Sequence, residues 1–301
     1  MGLSKHEVKD LALAVWDSYL DEPNAKQPSK QLLGAAFNLS RSNLYYKPKL
    51  EPKDNQLRKS IEAVYTKDDT LGCRKVATIL GVSKNRVYRV MLKYNIIPRR
   101  NKPTYVYNTN KQDKTISDNL LRSDIDQDAY TILFSDIFQF RLTSGRWVYC
   151  CFIMRKQTRQ ILSFCYGRHM TSDLTRTSIS RVDLVSDLTD IPVIFHSDQG
   201  SQYGAGETIE VLTQNKFTQS MSRPGTPTDN GMAERFVGIF KLAVTKRYRF
   251  SSLDEFEEAA TKWLTFYNNQ RPHGSLNDQS PNEYAKDHNK QEVTNLYLKQ
   301  V

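Results

Sequence analysis

Along the first third of the chain, apolar residues recur at a helical period. Val8, Leu11, Ala12, Val15, Tyr19 and Leu20 fall near a 3.6-residue repeat over residues 5 to 20, and DEPNAKQPSK (21 to 30) ends that helix. Two later stretches share one arrangement, SKQLLGAAFNLSRSNLYYKPK (29 to 49) and LGCRKVATILGVSKNRVYRVMLKYNIIPRR (71 to 100). Each predicts a short helix, a tight turn, a capping serine (Ser40, Ser83) and a second helix. In the second stretch Ala77, Leu80, Val82, Val87, Val90 and Met91 are the expected core, leaving Lys84, Asn85, Arg86, Arg89 and Lys93 outside. This is the layout of a helix-turn-helix, whose second helix enters a major groove, and charged surface helices can imitate it.

Residues 103 to 129 lose the period and read as a linker rich in Asn, Asp and Lys. From Tyr130 the pattern changes to strands: YTILFSDIFQFRL (130 to 142), a TSGR turn, WVYCCFIM (147 to 154), a second turn, and QILSFCYG (160 to 167). A helix over 172 to 188, a buried-type strand IPVIFHS (191 to 197), a helix near 206 to 215, a strand FTQSMS (217 to 222) and a helix carrying Glu234 follow. A three-strand meander followed by alternating helices and strands predicts an α/β unit with a mixed sheet flanked by helices. The last long helix starts at a capping box, Ser252 with Glu255, and buries Leu253, Phe256, Ala260, Trp263 and Tyr267. The expected organisation is a first helix-turn-helix-like unit in 1 to 50, a second in 51 to 102, the linker, a core in 130 to 250, and a C-terminal helix with a polar tail packed on it in 251 to 301.

Charge sharpens this picture. The 301 residues carry a net charge of +10, and residues 1 to 102 hold 20 Lys and Arg against 10 Asp and Glu, whereas 103 to 301 hold 23 of each. A basic helical arm on a charge-balanced body fits a polyanion binder, because each phosphate contact releases counterions; a merely solubilising surface has the same composition. Cys73, Cys150, Cys151 and Cys165 lack paired metal-ligand spacing and are expected as buried free thiols. With no apolar run near about 18 residues and no signal-peptide layout, the sequence predicts a soluble, cytoplasmic protein without a membrane partner.

Three acids stand out against the apolar pattern. Asp136 shares a strand face with Ile132, Phe134, Phe138 and Phe140, where an ionised carboxylate needs a cation, as one end of a buried ion pair or as a metal ligand. Asp198 ends the buried-type strand, where α/β sheets expose ligand groups. Ala233, Phe236, Phe240 and Ala243 form the packing side of the next helix, which aims Glu234 toward the same sheet edge, with Lys241 two turns further on. Any one of these acids is an ordinary surface residue; three together repel and call for cations. Oxygen-only ligation by Asp136, Asp198 and Glu234 suits Mg²⁺ or Mn²⁺, and two such ions roughly 4 Å apart serve phosphoryl transfer.

The stretches FSDIF (134 to 138), FHSDQGSQY (195 to 203), SMSRPGTPTDNGMAERF (220 to 236), Lys241 and YNNQRPHGSLNDQSPNEY (267 to 284) resemble bacterial insertion-sequence transposases with an integrase-type core, related to retroviral integrases. The resemblance implies a ribonuclease-H-like fold with Asp136, Asp198 and Glu234 as its catalytic, metal-binding triad, with 35 residues between the last two. It implies cleavage of transposon ends to expose 3′-hydroxyls, joining to target DNA, and assembly as a homodimer or larger complex on double-stranded DNA. Members with the YNNQRPHGSL segment commonly pass through a circular intermediate, and the catalytic frame is often fused to a small upstream DNA-binding frame. Arg155, Ser163 and Ala243 stand where the family usually has an acid, a glycine and an acid.

Chemistry suggests supporting roles for His196, Asn230 and Lys241, the last of which a solvated lysine would also explain, and the same resemblance suggests them for Arg271 and His273. His196 orients Asp198, contacts phosphate or packs against the sheet; Asn230 caps the helix or bonds near the site; Lys241 contacts phosphate; Arg271 and His273 fix their loop or touch DNA. Arg41, Lys84, Asn85, Arg86, Arg89, Lys93, Arg99 and Arg100 are the further DNA-contact candidates. The rival readings are a non-catalytic DNA-binding regulator and a hydrolytic nuclease of the same fold.

Overall fold

A computed structural model of the chain describes residues 5–19, 28–45, 50–100, 116–122, 124–182, 191–288 and 297–301. Two compact units emerge, residues 1–57 and 58–301. In the first, α1 (Lys5–Ser18), α2 (Lys30–Ala36) and α3 (Arg41–Tyr45) enclose a small core of Ala12, Leu33 and Leu44. Ser40 accepts from the Asn43 N–H at 3.3 Å and so caps α3. The turn before it needs Gly34, because a Cβ there would sit 2.7 Å from the Leu39 carbonyl oxygen.

The helix α4 (Leu50–Lys67) crosses into the second unit and is followed by α5 (Cys73–Leu80) and α6 (Lys84–Lys93). Gly81 ends α5 at φ 62°, and the Val82 N–H reaches back to the Ala77 carbonyl at 3.1 Å, the left-handed cap that only glycine adopts cheaply. Val76, Ala77, Val87, Val90 and Met91 are buried, whereas the expected core residues Leu80 and Val82 are only half-buried. Ser83 precedes α6 but its hydroxyl makes no capping bond. Residues 58 to 100 belong to the same compact unit as the sheet. Buried Asp68 pairs with Arg271 at 2.9 Å, and Arg247 donates to the Tyr65 carbonyl at 2.8 Å.

The sheet runs β5-β4-β1-β2-β3-β6, from β1 (Thr131–Arg141), β2 (Trp147–Arg155), β3 (Ile161–Gly167), β4 (Val193–Ser197), β5 (Phe217–Met221) and β6 (Tyr297–Gln300). The first three strands form an antiparallel meander, and β4 and β5 run parallel to β1. This is the ribonuclease-H-like arrangement. Alternation along β1 divides the core. Ile132, Phe134, Phe138 and Phe140 face α9 (Gly231–Phe240) and α10 (Leu253–Asn269), while Leu133 joins Ile153, Phe195 and Ile179 on the face covered by α7 (Ser172–Ser180) and α8 (Gly206–Gln214). The first face is a web of rings, including Phe152–Phe236 at 4.4 Å and Phe138–Phe240 at 5.3 Å, each ring contributing about 1.5–3 kcal/mol by leaving water.

Two expectations for the C-terminal part change. The Ser252 hydroxyl accepts from the Glu255 N–H, but the Glu255 carboxylate returns to the N–H and hydroxyl of Ser251, both at 2.7 Å, so the box is displaced by one residue toward the position offering two donors. A complete reciprocal box instead starts α11 (Pro281–Asp287) at Ser280 and Glu283. The end of the polar tail is β6, paired parallel to β3. The end of the linker also joins the body, since the Met221 N–H donates to the Asp118 carbonyl and the Leu120 N–H to the Ser220 hydroxyl. Cys150, Cys151 and Cys165 are buried free thiols and Cys73 is half-buried. Among the described residues no helix is long and apolar enough to cross a membrane.

Candidate active site

The register of two parallel strands begins the site. Phe134 on β1 lies beside His196 on β4, so two residues further along each chain Asp136, in the middle of β1, comes level with Asp198, just past the end of β4. Asp198 leaves β4 in a turn, its carboxylate accepting from the Gly200 N–H at 2.9 Å. Space is tight there: a Cβ on Gly200 would stand 3.0 Å from that carboxylate.

The third acid comes from α9. Ala233, Phe236 and Phe240 bury one side of the helix and leave Glu234 exposed. Just before the helix, buried Asn230 donates its side-chain amide to the Ser135 carbonyl at 3.1 Å, tying the start of α9 to the strand of Asp136. The helix then widens into a π-helical turn, Lys241–Thr245, closed by the Lys246 N–H on the Lys241 carbonyl. Lys241 lies 5.5 Å over the Phe138 ring.

Electrostatics ties these groups into one site. Burial, and then repulsion by Asp198 and by Glu234, drives the Asp136 carboxyl up to about 8, against the opposing pull of the Ile137 N–H and of Lys241. Desolvation also raises Glu234, and burial lowers Lys241 while Asp136 holds it up. Among the described residues no three His, Cys, Asp or Glu side chains are arranged to hold one ion jointly. Asp136 is instead the acid that feels each of the other two. Carboxylate oxygens are the donor type that suits a hard divalent cation.

Residues 126–227 and 215–281 each match a family model described as an integrase core domain. The chain belongs to the bacterial insertion-sequence transposases with an integrase-type core. A 31 kDa uncharacterized protein of insertion element IS600 from Shigella sonnei is 27% identical over 81% of this chain and 94% of its own length. The transposase for insertion sequence element IS904 of Lactococcus lactis is 36% identical over 31% of this chain and 38% of that protein. Among solved structures, the simian T-cell lymphotropic virus intasome in complex with PP2A regulatory subunit B56 gamma aligns with 70% of this chain and 69% of that chain, at 16% identity and a TM-score of 0.43.

In this transposase His196 takes the packing role. Its ring is fully buried edge-on to Phe134, its nitrogens meet the Ser220 and Ser222 hydroxyls at 2.9 and 3.1 Å, and burial lowers it to about 4. Asn230 bonds near the site and makes no capping bond. Arg271 is 3% exposed with its guanidinium on Asp68, so it fixes its loop and offers no surface to DNA. His273 packs its ring edge-on to Tyr267 at 4.8 Å, and its backbone N–H donates to the Gln279 carbonyl. Lys84, Asn85, Arg86, Arg89 and Lys93 line the exposed side of α6; Arg100 is exposed, and Arg99 is drawn to Asp69 at 3.0 Å. Arg41 opens α3, its side chain lying outside the described residues.

The three departures from the family pattern have structural settings. Arg155 is buried with its guanidinium on the Thr131 hydroxyl, Ser163 bonds Ser178, and Ala243 lies inside the aromatic core, where an acid would be costly to desolvate.

Asp229 is the residue that sequence reasoning left without a role. Its side chain, 2% exposed, takes Arg122 at 3.0 Å, Arg223 at 3.2 Å and the Asn119 amide at 2.9 Å. Burial acts to raise this carboxyl, but the Arg223 N–H and the two guanidiniums hold it below the usual range. Asp229 thereby clasps the loop ahead of Glu234 to the linker. Its partners Arg122 and Asn119 fall in a stretch without periodicity, so the sequence carried no signal for the contact.

Proposed function

We propose that this transposase acts on DNA by phosphoryl transfer, cleaving the ends of an insertion sequence to expose 3′-hydroxyls and joining them to target DNA. The observation that carries the reading is the parallel register that sets Asp136 level with Asp198 beside the end of β4, where repulsion from Asp198 and Glu234 raises the Asp136 carboxyl. Acids held together against their charge are poised for cations.

Asp136, Asp198 and Glu234 are the residues that would hold Mg²⁺ or Mn²⁺, with Asp136 common to two sites. Such ions, when bound, acidify an attacking water or hydroxyl and stabilise the leaving 3′-oxygen. The chain's own residues do the rest. Lys241 brings a positive charge beside Asp136 for a phosphate oxygen. Asn230 and Asp229 keep the Glu234 helix in place. The exposed basic side of α6 is suited to a major groove and its phosphates. Two ends must be handled together, which calls for at least two copies of the chain on DNA, with or without an upstream-frame protein.

The test incubates the protein with labelled insertion-sequence ends, target duplex and Mg²⁺. Joined products are expected. Cleavage without joining would make the protein a hydrolytic nuclease, and a shifted band without cleavage would leave a DNA-binding regulator.

A further inference from the structure

Four basic or titratable side chains from four separate elements meet beside the second helix-turn-helix. They are Lys75 on α5, Arg159 in the turn after β2, Arg235 on α9 and His273 in the loop after α10. Named contacts bring them together. The Asp68–Arg271 and Arg74–Asp278 pairs, at 2.9 and 2.8 Å, hold α5 against the loop of residues 271 to 278. The Tyr267 ring meets the His273 ring at 4.8 Å and Phe236, next to Arg235, at 5.3 Å. Arg159 rests on the Met232 sulfur, one helical turn before Arg235. Lys75 also lines an open cleft of about 550 Å³ together with Arg74 and Arg100.

The cluster is only partly neutralised from within, by Asp68 and Asp278. Asp68 is engaged by Arg271 and Thr70, and Asp278 by Arg74. Among the described residues no ion pair engages Lys75, Arg159 or Arg235. His273 Nε2 is buried without a hydrogen-bond partner. Burial, then Arg271 and Arg235, lower Lys75 to about 8 against the opposing pull of Asp68 and Asp278, and burial, Arg271, Lys75 and Arg159 lower His273 to about 2. Like charges gathered at a half-buried place raise the energy of the folded protein, and an anion among them relieves it.

We infer that Lys75, Arg159, Arg235 and His273 form a cradle for one backbone phosphate of duplex DNA, placed between the recognition helix α6 and Glu234. The inference rests on the DNA-transposase reading and deepens it, since the phosphate held here would bridge the reading module and the catalytic helix. Lysine and the two guanidiniums donate to the phosphate oxygens, and neutral His273 lies buried beneath them. No base edge is read, so the contact strengthens binding equally for all sequences.

The test uses the full chain and a fluorescent duplex of arbitrary sequence in EDTA, so that affinity is read without catalysis. K75Q and R159Q are each expected to lower the slope of log affinity against log salt by about one, equally on unrelated duplexes, and K75R to retain it. A second measurement needs no variant. Acylation of the Lys75 amine, read by mass spectrometry, should be suppressed several-fold by duplex and left unchanged by millimolar inorganic phosphate. Unchanged slopes in both variants, or equal labelling of Lys75 with and without duplex, would overturn the cradle while leaving the transposase reading intact. Protection by inorganic phosphate and none by duplex would make the site one for a free anion and overturn the DNA assignment. A wild-type protein that binds no duplex would remove both.

Discussion

The side-chain amide of Asn230 donates to the backbone carbonyl of Ser135 at 3.1 Å, so the residue before the Glu234 helix is bonded to the residue before Asp136. The elements of Asp136 and Glu234, far apart in the chain, are thereby fixed by one buried hydrogen bond. N230A should destabilise the protein by about 1–3 kcal/mol, because a buried carbonyl loses its side-chain donor. End processing should fall by up to about 100-fold through misplacement of Glu234, with duplex affinity unchanged. Denaturant melts, turnover and binding isotherms on one preparation check this together.

Asp136 gives the stability a pH dependence that a bound cation should reduce. Its carboxyl rises from 3.8 to about 8 on folding, so the folded protein holds the proton more tightly than the unfolded chain. Stability from this group is present at low pH and declines as pH climbs from about 4 toward 8. A divalent cation cancels the repulsion, so Mg²⁺ should raise the melting temperature more at pH 8.5 than at pH 6. D136N should melt above wild type at pH 8.5 without metal and gain little from Mg²⁺. Thermal scans at the two pH values, with Mg²⁺ and with EDTA, give the comparison.

His196 acts in the opposite direction. Burial depresses it from 6.5 to about 4, so its contribution is full above pH 6.5 and is lost as pH falls toward 4, because the unfolded chain takes up the proton first. His273, depressed to about 2, adds to the same acid sensitivity. Stability should therefore drop between about pH 6.5 and 4, and H196Q should make that drop shallower. Urea unfolding across the range measures it.

Asp68 and Arg271 join the second helix-turn-helix to the body through a pair whose side chains are 0% and 4% exposed. Removing one partner leaves a buried charge, so D68A or R271A should cost about 3–5 kcal/mol. R271K should not restore stability, since a point charge cannot reproduce the guanidinium geometry. Replacing both partners by apolar residues should recover much of the loss, as a double-mutant cycle in guanidinium chloride would show.

The local pattern determined a great deal. Alternation gave the five core strands and put Asp136 on the aromatic face; helical spacing gave α9 and α10 with the correct packing sides. The acidic motif stood out because carboxylates in apolar surroundings are legible one residue at a time. Tertiary structure decided what depends on distant surfaces. The parallel register of β1 and β4 sets Asp136 level with Asp198 beside the end of β4. Arg271, read as a loop or DNA residue, meets Asp68 203 positions earlier, and Asp229 meets Arg122 107 positions away. The closing strand β6 needed the open edge of β3. Periodicity is written in neighbouring residues, whereas the partner of a buried polar group is set by which faces pack, and that is fixed only when the whole core closes.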